Sequence, residues 1–171
     1  SYEMKKRSLE RAWNNTFDQQ LGEDIKQAKQ VPVLINYSVG SSRFEKEPDD
    51  HDAEIVRRIS ELGASGLVPI ARMMDGREAR RNDFIGMTHT HHYFTQRTLI
   101  LISRILGCAE SYDPAVQSLL RMAVMDCFSV LTKMSRFRAP AWFDKSTGPM
   151  KGWTAGTLYV PSLQGEQNVL N

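Results

Sequence analysis

D-P-A-V-Q-S-L-L-R-M-A-V-M-D-C-F-S-V-L-T-K-M, residues 113–134, is the stretch on which the fold turns. Asp113 followed by Pro114 reads as an N-cap and a first helical position, where the missing proline N–H would be unpaired anyway and the fixed φ suits a helix. Val116, Leu119, Leu120, Ala123, Val124, Cys127, Phe128, Leu131 and Met134 then keep helical spacing to the end. The expectation is a long helix at the centre of the core.

Upstream, Thr95 is placed to cap another helix, with Leu99, Ile102, Ile105 and Leu106 on its buried face. Residues 63–92 hold no steady period and are rich in Gly, Arg and Asp, so they read as irregular. Asp49, Asp50 and Asp52 are candidate caps for a helix from about His51 to Leu62, ended by Gly63. Val31–Val39 is β-rich and Gly40-Ser41-Ser42 supplies a turn before Arg43–Glu47, which predicts a hairpin with Pro32 marking its first strand as an edge. Leu9, Trp13, Phe17, Leu21 and Ile25 recur every fourth residue and predict an amphipathic helix over 2–30. Downstream of 134 the composition turns basic and aromatic, and Thr157–Val160 reads as a short late strand stopped by Pro161. The fold class is α+β and predominantly α: three or four helices, a small hairpin and that strand, in one domain over 1–171.

The 171 residues suffice for a buried core, and 41% hydrophobic with 25% charged residues is ordinary for a globular chain. No apolar run approaches the roughly 20 residues that span a bilayer, and the N-terminus S-Y-E-M-K-K-R-S-L-E-R-A-W lacks the apolar segment of a signal peptide. Cys108 and Cys127 sit in apolar helical patterns and are expected as small buried side chains in a reducing cytoplasm. The formal charge of +2 is too weak to argue for nucleic acid by itself. The chain opens without an initiator Met and stops at E-Q-N-V-L-N, which reads as a fragment of a longer protein.

Three constellations carry possible chemistry. G-M-T-H-T-H-H-Y-F-T-Q-R at 86–97 concentrates three histidines. On an extended segment His89 and His91 project to one face and could share a metal, with Asp83 or an acid from 49–52 completing the site. The other reading is that His89, His91 and His92 bond the backbone and order an irregular segment. Arg72, Arg77, Arg80 and Arg81 form a second group, partly neutralised by Asp75, Glu78 and Asp83. It is either a solvated loop or a set of phosphate contacts. The third runs from Lys133 to Lys151, where Lys133, Arg136, Arg138, Lys145 and Lys151 stand against Asp144 alone, with Phe137, Trp142 and Phe143 between them. Cations on phosphates and aromatics on unpaired bases would suit nucleic acid; the alternative is aromatics folded onto the core. The acidic run Glu45–Asp52 reads as solvated and helix-capping. No G-x-G-x-x-G, P-loop, C-x-x-C, H-E-x-x-H or recognisable nucleophile motif occurs.

The order of these blocks resembles a known family. P-V-L-I-N-Y and R-F-E-K-E-P-D-D-H-D within 32–52, G-M-T-H-T-H-H-Y-F-T-Q-R-T-L at 86–99, K-M-S-R-F-R at 133–138, G-T-L-Y-V-P-S-L at 156–163 and E-Q-N-V at 166–169 follow one another. The succession is similar to the middle region of large bacterial and archaeal DNA methylases described as adenine-specific; residues 1–30 lie outside it. In that family a Gly-rich loop binds S-adenosylmethionine and a D-P-P-[YF] motif holds the target amino group, and neither occurs here. Asp113-Pro114 is followed by Ala115, so the resemblance assigns no catalytic, cofactor or metal residue to this chain. It implies a non-catalytic insert that contacts DNA or reads the target, partnered by the remaining methyltransferase domain of a parent enzyme that uses S-adenosylmethionine. Such enzymes rotate a base out of the duplex, and a separate element must hold the DNA. The DNA-contact candidates are Lys133, Arg136, Arg138, Trp142, Lys145, Lys151, Arg77, Arg80 and Arg81. Two rivals stand beside this reading: a metal-dependent phosphodiesterase or nuclease built on the 89–92 histidines, and a partner-docking module of a restriction–modification assembly.

Overall fold

The computed structural model describes residues 10–137, 150–151, 154 and 156–168, and only the backbone of Ser129, Met150 and Lys151. The fold is α+β, and helix outweighs strand among the described residues. The chain forms two compact units, Ser1–Glu61 and Leu62–Asn171.

The first unit is made of local structure. Strands β1 (Trp13–Asp18) and β2 (Glu23–Ala28) form an antiparallel hairpin in which Trp13 pairs with Ala28 and Thr16 with Ile25. This corrects the helix expected over 2–30; residues 1–9 lie outside the described residues. The reason is visible at the turn. The Asp18 carboxylate accepts from the Gln20 N–H at 2.9 Å and the Leu21 N–H at 3.2 Å, and Gly22 takes φ 70°. An Asx-turn and a left-handed glycine end any helix there. A four-residue spacing is also two strand periods, so Trp13 and Phe17 fall on one face of β1 just as they would on a helix.

The hairpin expected at 31–47 is present as β3 (Ile35–Val39) and β4 (Ser42–Lys46), with Pro32 outside the strand. Gly40, at φ 60°, occupies the two-residue turn between Val39 and Ser42. Helix α1 (Asp50–Glu61) agrees with the acidic caps within a residue or so of the expected bounds. Asp49 Oδ1 accepts from the Asp52 N–H and Asp52 Oδ2 from the Asp49 N–H, each at 3.0 Å, a reciprocal capping box.

The second unit holds the core. Helix α2 (Arg77–Asp83) and a 3₁₀ turn (Thr90–Tyr93) lie inside the stretch expected to be irregular. Helix α3 (Gln96–Ala109) starts at the Thr95 cap and buries Leu99 and Ile102, while Ile105 and Leu106 are half-buried. Ala64, Phe94, Leu99, Ile102 and Leu131 form one buried cluster, edged by Val68, Val124 and Phe128. Phe94 and Phe128 meet edge to face, 5.2 Å between centroids. Gly66, at φ 99°, runs so close to α3 that a Cβ would stand 3.3 Å from the Ser103 carbonyl oxygen. A second cluster joins Met87, Tyr93 and Met134 with Met73, Ile85, Leu158 and Val160.

The decisive stretch behaves differently from its expectation. Helix α4 (Pro114–Asp126) starts as the sequence says, the Asp113 carboxylate accepting from the Ala115 and Val116 amides. It stops at Cys127, whose N–H turns to the Val124 carbonyl at 3.2 Å, and the short α5 (Phe128–Leu131) follows. No residue of α4 is buried; Leu119, Met122 and Met125 are 62%, 60% and 65% exposed. The long central helix is therefore a broken one, packed along a single side. A helix apolar most of the way round always has a face that looks like core, and the pattern does not say how many neighbours it has. Cys108 and Cys127 are exposed free thiols, contrary to their expected burial. The late strand expected at Thr157–Val160 is absent. Strand pairing instead joins β5 (Arg136–Phe137) to β6 (Met150–Lys151), and Pro161 is buried without ending a strand. No helix among the described residues is long and apolar enough to cross a membrane.

Candidate functional site

The histidine segment is ordered by its own side chains. Segment 88–90 lies along 71–73: the Met73 N–H donates to the Thr88 carbonyl and the Thr90 N–H to the Ala71 carbonyl, both at 2.9 Å. His92 Nδ1 accepts from the Thr88 N–H at 3.1 Å and the His89 N–H at 3.3 Å, while the His89 side chain accepts from the His92 N–H. Two imidazoles thus form the capping box of the 3₁₀ turn. The backbone-ordering expectation holds for His89 and His92. The extended geometry behind the metal reading does not, because His91 and His92 lie within the turn.

The rings are close: 5.8 Å between His89 and His91, 5.4 Å between His89 and His92, and 4.2 Å between His91 and His92. Proximity is not ligation. The Nδ1 lone pair of His92 is directed at two backbone N–H groups, so this nitrogen is engaged in ordering the turn. Of the acids named as further ligands, Asp83, Asp49 and Asp52 each face a cation, while Asp83 Oδ1 is buried without a partner among the described residues. Asp83 Oδ2 pairs with Arg80 at 3.1 Å and lies 3.8 Å from Arg72. Asp49 and Asp52 cap α1 and hold Lys46 at 3.0 Å and 2.6 Å. The Asp52 amide first and the Lys46 ammonium second pull the Asp49 carboxyl down to about 2.

The basic candidates divide by what they touch. Arg80 faces inward: Nη2 donates to the Met73 carbonyl at 2.8 Å and Nη1 pairs with Asp83. Arg81 pairs with Glu78 at 2.8 Å, donates to Thr157 Oγ1 at 2.9 Å and stands 5.7 Å from the Tyr159 ring centre. Arg77 is exposed and forms no ion pair among the described residues. Lys133 is half-buried and its N–H donates to the Tyr93 carbonyl at 2.7 Å. Burial pushes its ammonium down to about 8, against the opposing charge of Glu166. Arg136 is exposed and its register partner across β5–β6 is Lys151. Arg138, Trp142 and Lys145 lie between these strands in sequence and outside the described residues.

Residues that periodicity did not single out hold the site together. Asn82 is buried, and its Nδ2 donates to Tyr93 Oη at 2.9 Å and the Leu158 carbonyl at 2.8 Å. Glu166 accepts from Thr95 Oγ1 at 2.6 Å, Thr98 Oγ1 at 3.1 Å and Arg97 Nε at 3.1 Å, and its second oxygen lies 3.1 Å from Arg97 Nη2. The hydroxyls of Thr132 and Ser135 are buried without a partner among the described residues. Only the hydroxyl-rich T-Q-R-T after the histidines hinted at such a role, and its acceptor lies about seventy residues away.

The strands of the described residues pair antiparallel, β1 with β2, β3 with β4 and β5 with β6. No family profile, curated protein or solved structure matches the chain.

Proposed function

We propose that this chain is a non-catalytic, DNA-positioning part of an S-adenosylmethionine-dependent DNA amino-methyltransferase. The observation that carries the reading is the register of β5 and β6, which sets Arg136 opposite Lys151. An arginine and a lysine at one backbone register position are residue types suited to sharing an anion. DNA phosphates supply that anion. Support also comes from the blocks that carry the resemblance. Lys133 bonds Tyr93, Glu166 bonds Thr95 and Thr98, and Leu158 packs with Met87, Tyr93 and Met134, so residues from the blocks at 86–99, 133–138, 156–163 and 166–168 pack into one unit.

In this reading Arg136, Lys151 and exposed Arg77 contact phosphate and Arg80 serves the fold, while Arg138, Lys145 and Trp142 are further candidates from the sequence alone. Cofactor binding, base rotation and methyl transfer belong to the remaining domain of the parent enzyme. The exposed thiols of Cys108 and Cys127 fit a reducing cytoplasm.

Fluorescence anisotropy with a labelled duplex tests it. The chain should bind DNA modestly and with a steep salt dependence. The R136A/R138A/K145A variant should lose affinity uniformly across sequences, its log–log salt slope falling by about one per phosphate contact removed. A wild-type chain that does not bind at low salt, or a triple variant that binds as tightly, defeats the proposal.

A further inference from the structure

The carboxyl-terminal described segment, 156–168, crosses the second unit without a helix or strand of its own, its one bridge pairing Gln164 with Arg136. Its beginning is gripped by α2: Thr157 Oγ1 donates to the Glu78 carboxylate and accepts from Arg81 Nη2 at 2.9 Å. The Thr157 hydroxyl, and less strongly the Leu158 amide and the arginines, hold the Glu78 carboxyl below the usual carboxylate range. In its middle, Leu158 and Val160 pack on the Met87–Tyr93–Met134 cluster and Pro161 is buried. Two main-chain bonds follow, from the Phe137 N–H to the Leu163 carbonyl at 3.3 Å and from the Gly165 N–H to the Ser135 carbonyl at 3.1 Å. Its end is fixed by the Glu166 carboxylate, which takes three donors from the first turn of α3.

We infer that residues 156–168 form a releasable strap whose latch is Glu166. A segment with few buried apolar contacts and two main-chain bonds opens well below the free energy of global unfolding, so its closure depends on its strongest polar attachment. Charge-assisted bonds to hydroxyls and guanidinium are about twice as strong as neutral ones, and Glu166 gathers them at one point. Release uncovers the Met87–Tyr93–Met134 cluster and Asn82 while leaving the Ile102 core intact, because strap and core share no buried residue. This inference does not depend on the DNA reading.

Amide hydrogen exchange on the whole chain tests it. Phe137 is the reporter, since its acceptor is on the strap and its own sequence neighbours are unchanged in the variants. E166Q should speed exchange at Phe137 at least tenfold and R97Q by a smaller factor, with the Ile102 amide unchanged in both. The combined variant should exchange little faster than E166Q, because both substitutions undo one latch. Three results overturn the inference. The first is unchanged exchange at Phe137 in both variants. The second is equal acceleration at Ile102, which marks global destabilisation. The third is failure of E166Q to fold, since a latch is undone without unfolding the rest.

Discussion

The two units of this protein are built by different rules. Between β1 and α1 every element is explained by neighbours in sequence: the Asp18 turn, the Gly40 turn, the Asp49–Asp52 capping box and the ion pair of Arg57 with Glu54. Among its described residues no hydrophobic side chain is buried; Phe17, Tyr37 and Phe44 are 59%, 42% and 45% exposed. The unit from Leu62 onward adds to its locally capped helices two buried clusters that draw on residues from Ala64 to Val160. Local bonding defines an element without burying anything, whereas a core forms only where distant segments agree in shape.

The largest break in that contrast comes from Ile102, which is 0% exposed. Ile102→Ala should cost roughly 2–5 kcal/mol, as buried truncations do when the site cannot collapse. A denaturant melt should show the loss in the second unit, while exchange in β3–β4 stays as in the wild type. If the variant melts with the wild type, the cluster is not the stabilising core.

The next effect belongs to His92. His92→Ala removes the acceptor of two backbone N–H groups and should cost about 1–3 kcal/mol. The loss should be the same with and without a chelator. A chelator that destabilises the wild type alone would revive the metal reading of the histidines.

The smallest effect lies in the first unit. Tyr37 and Phe44 are register partners whose rings stack at 5.5 Å. Tyr37→Ala should weaken the hairpin by about 0.5–1 kcal/mol and leave the exchange of Ile102 untouched. Equal loss in both units would mean that the units do not respond separately.

How much was legible follows the same division. The hairpin at 35–46, the α1 cap, the Thr95 cap and the Asp113-Pro114 start all rest on bonds within a few residues, and sequence reading finds them. The helix expected over 2–30 failed because spacing by four satisfies strand and helix alike, and the Asp18–Gly22 turn carried the deciding information. Of the candidate site, the histidines and arginines were visible as residue types. Which arginine turns inward was not, because Arg80 meets the Met73 carbonyl only when α2 packs against it.

The sequence by itself determined where chain direction changes and where helices begin, since turns and caps are short-range chemistry. Only the tertiary structure decided what α4 is. Of the apolar residues that promised a central helix, Leu119, Ala123 and Cys127 stay in solvent, and Leu131 and Met134 are buried only beyond the break. It also decided that the histidines cap one another and that Glu166 closes on α3. Packing partners and hydrogen-bond acceptors tens of residues away are set by the meeting of surfaces, and hydrophobic periodicity carries no record of which surfaces meet.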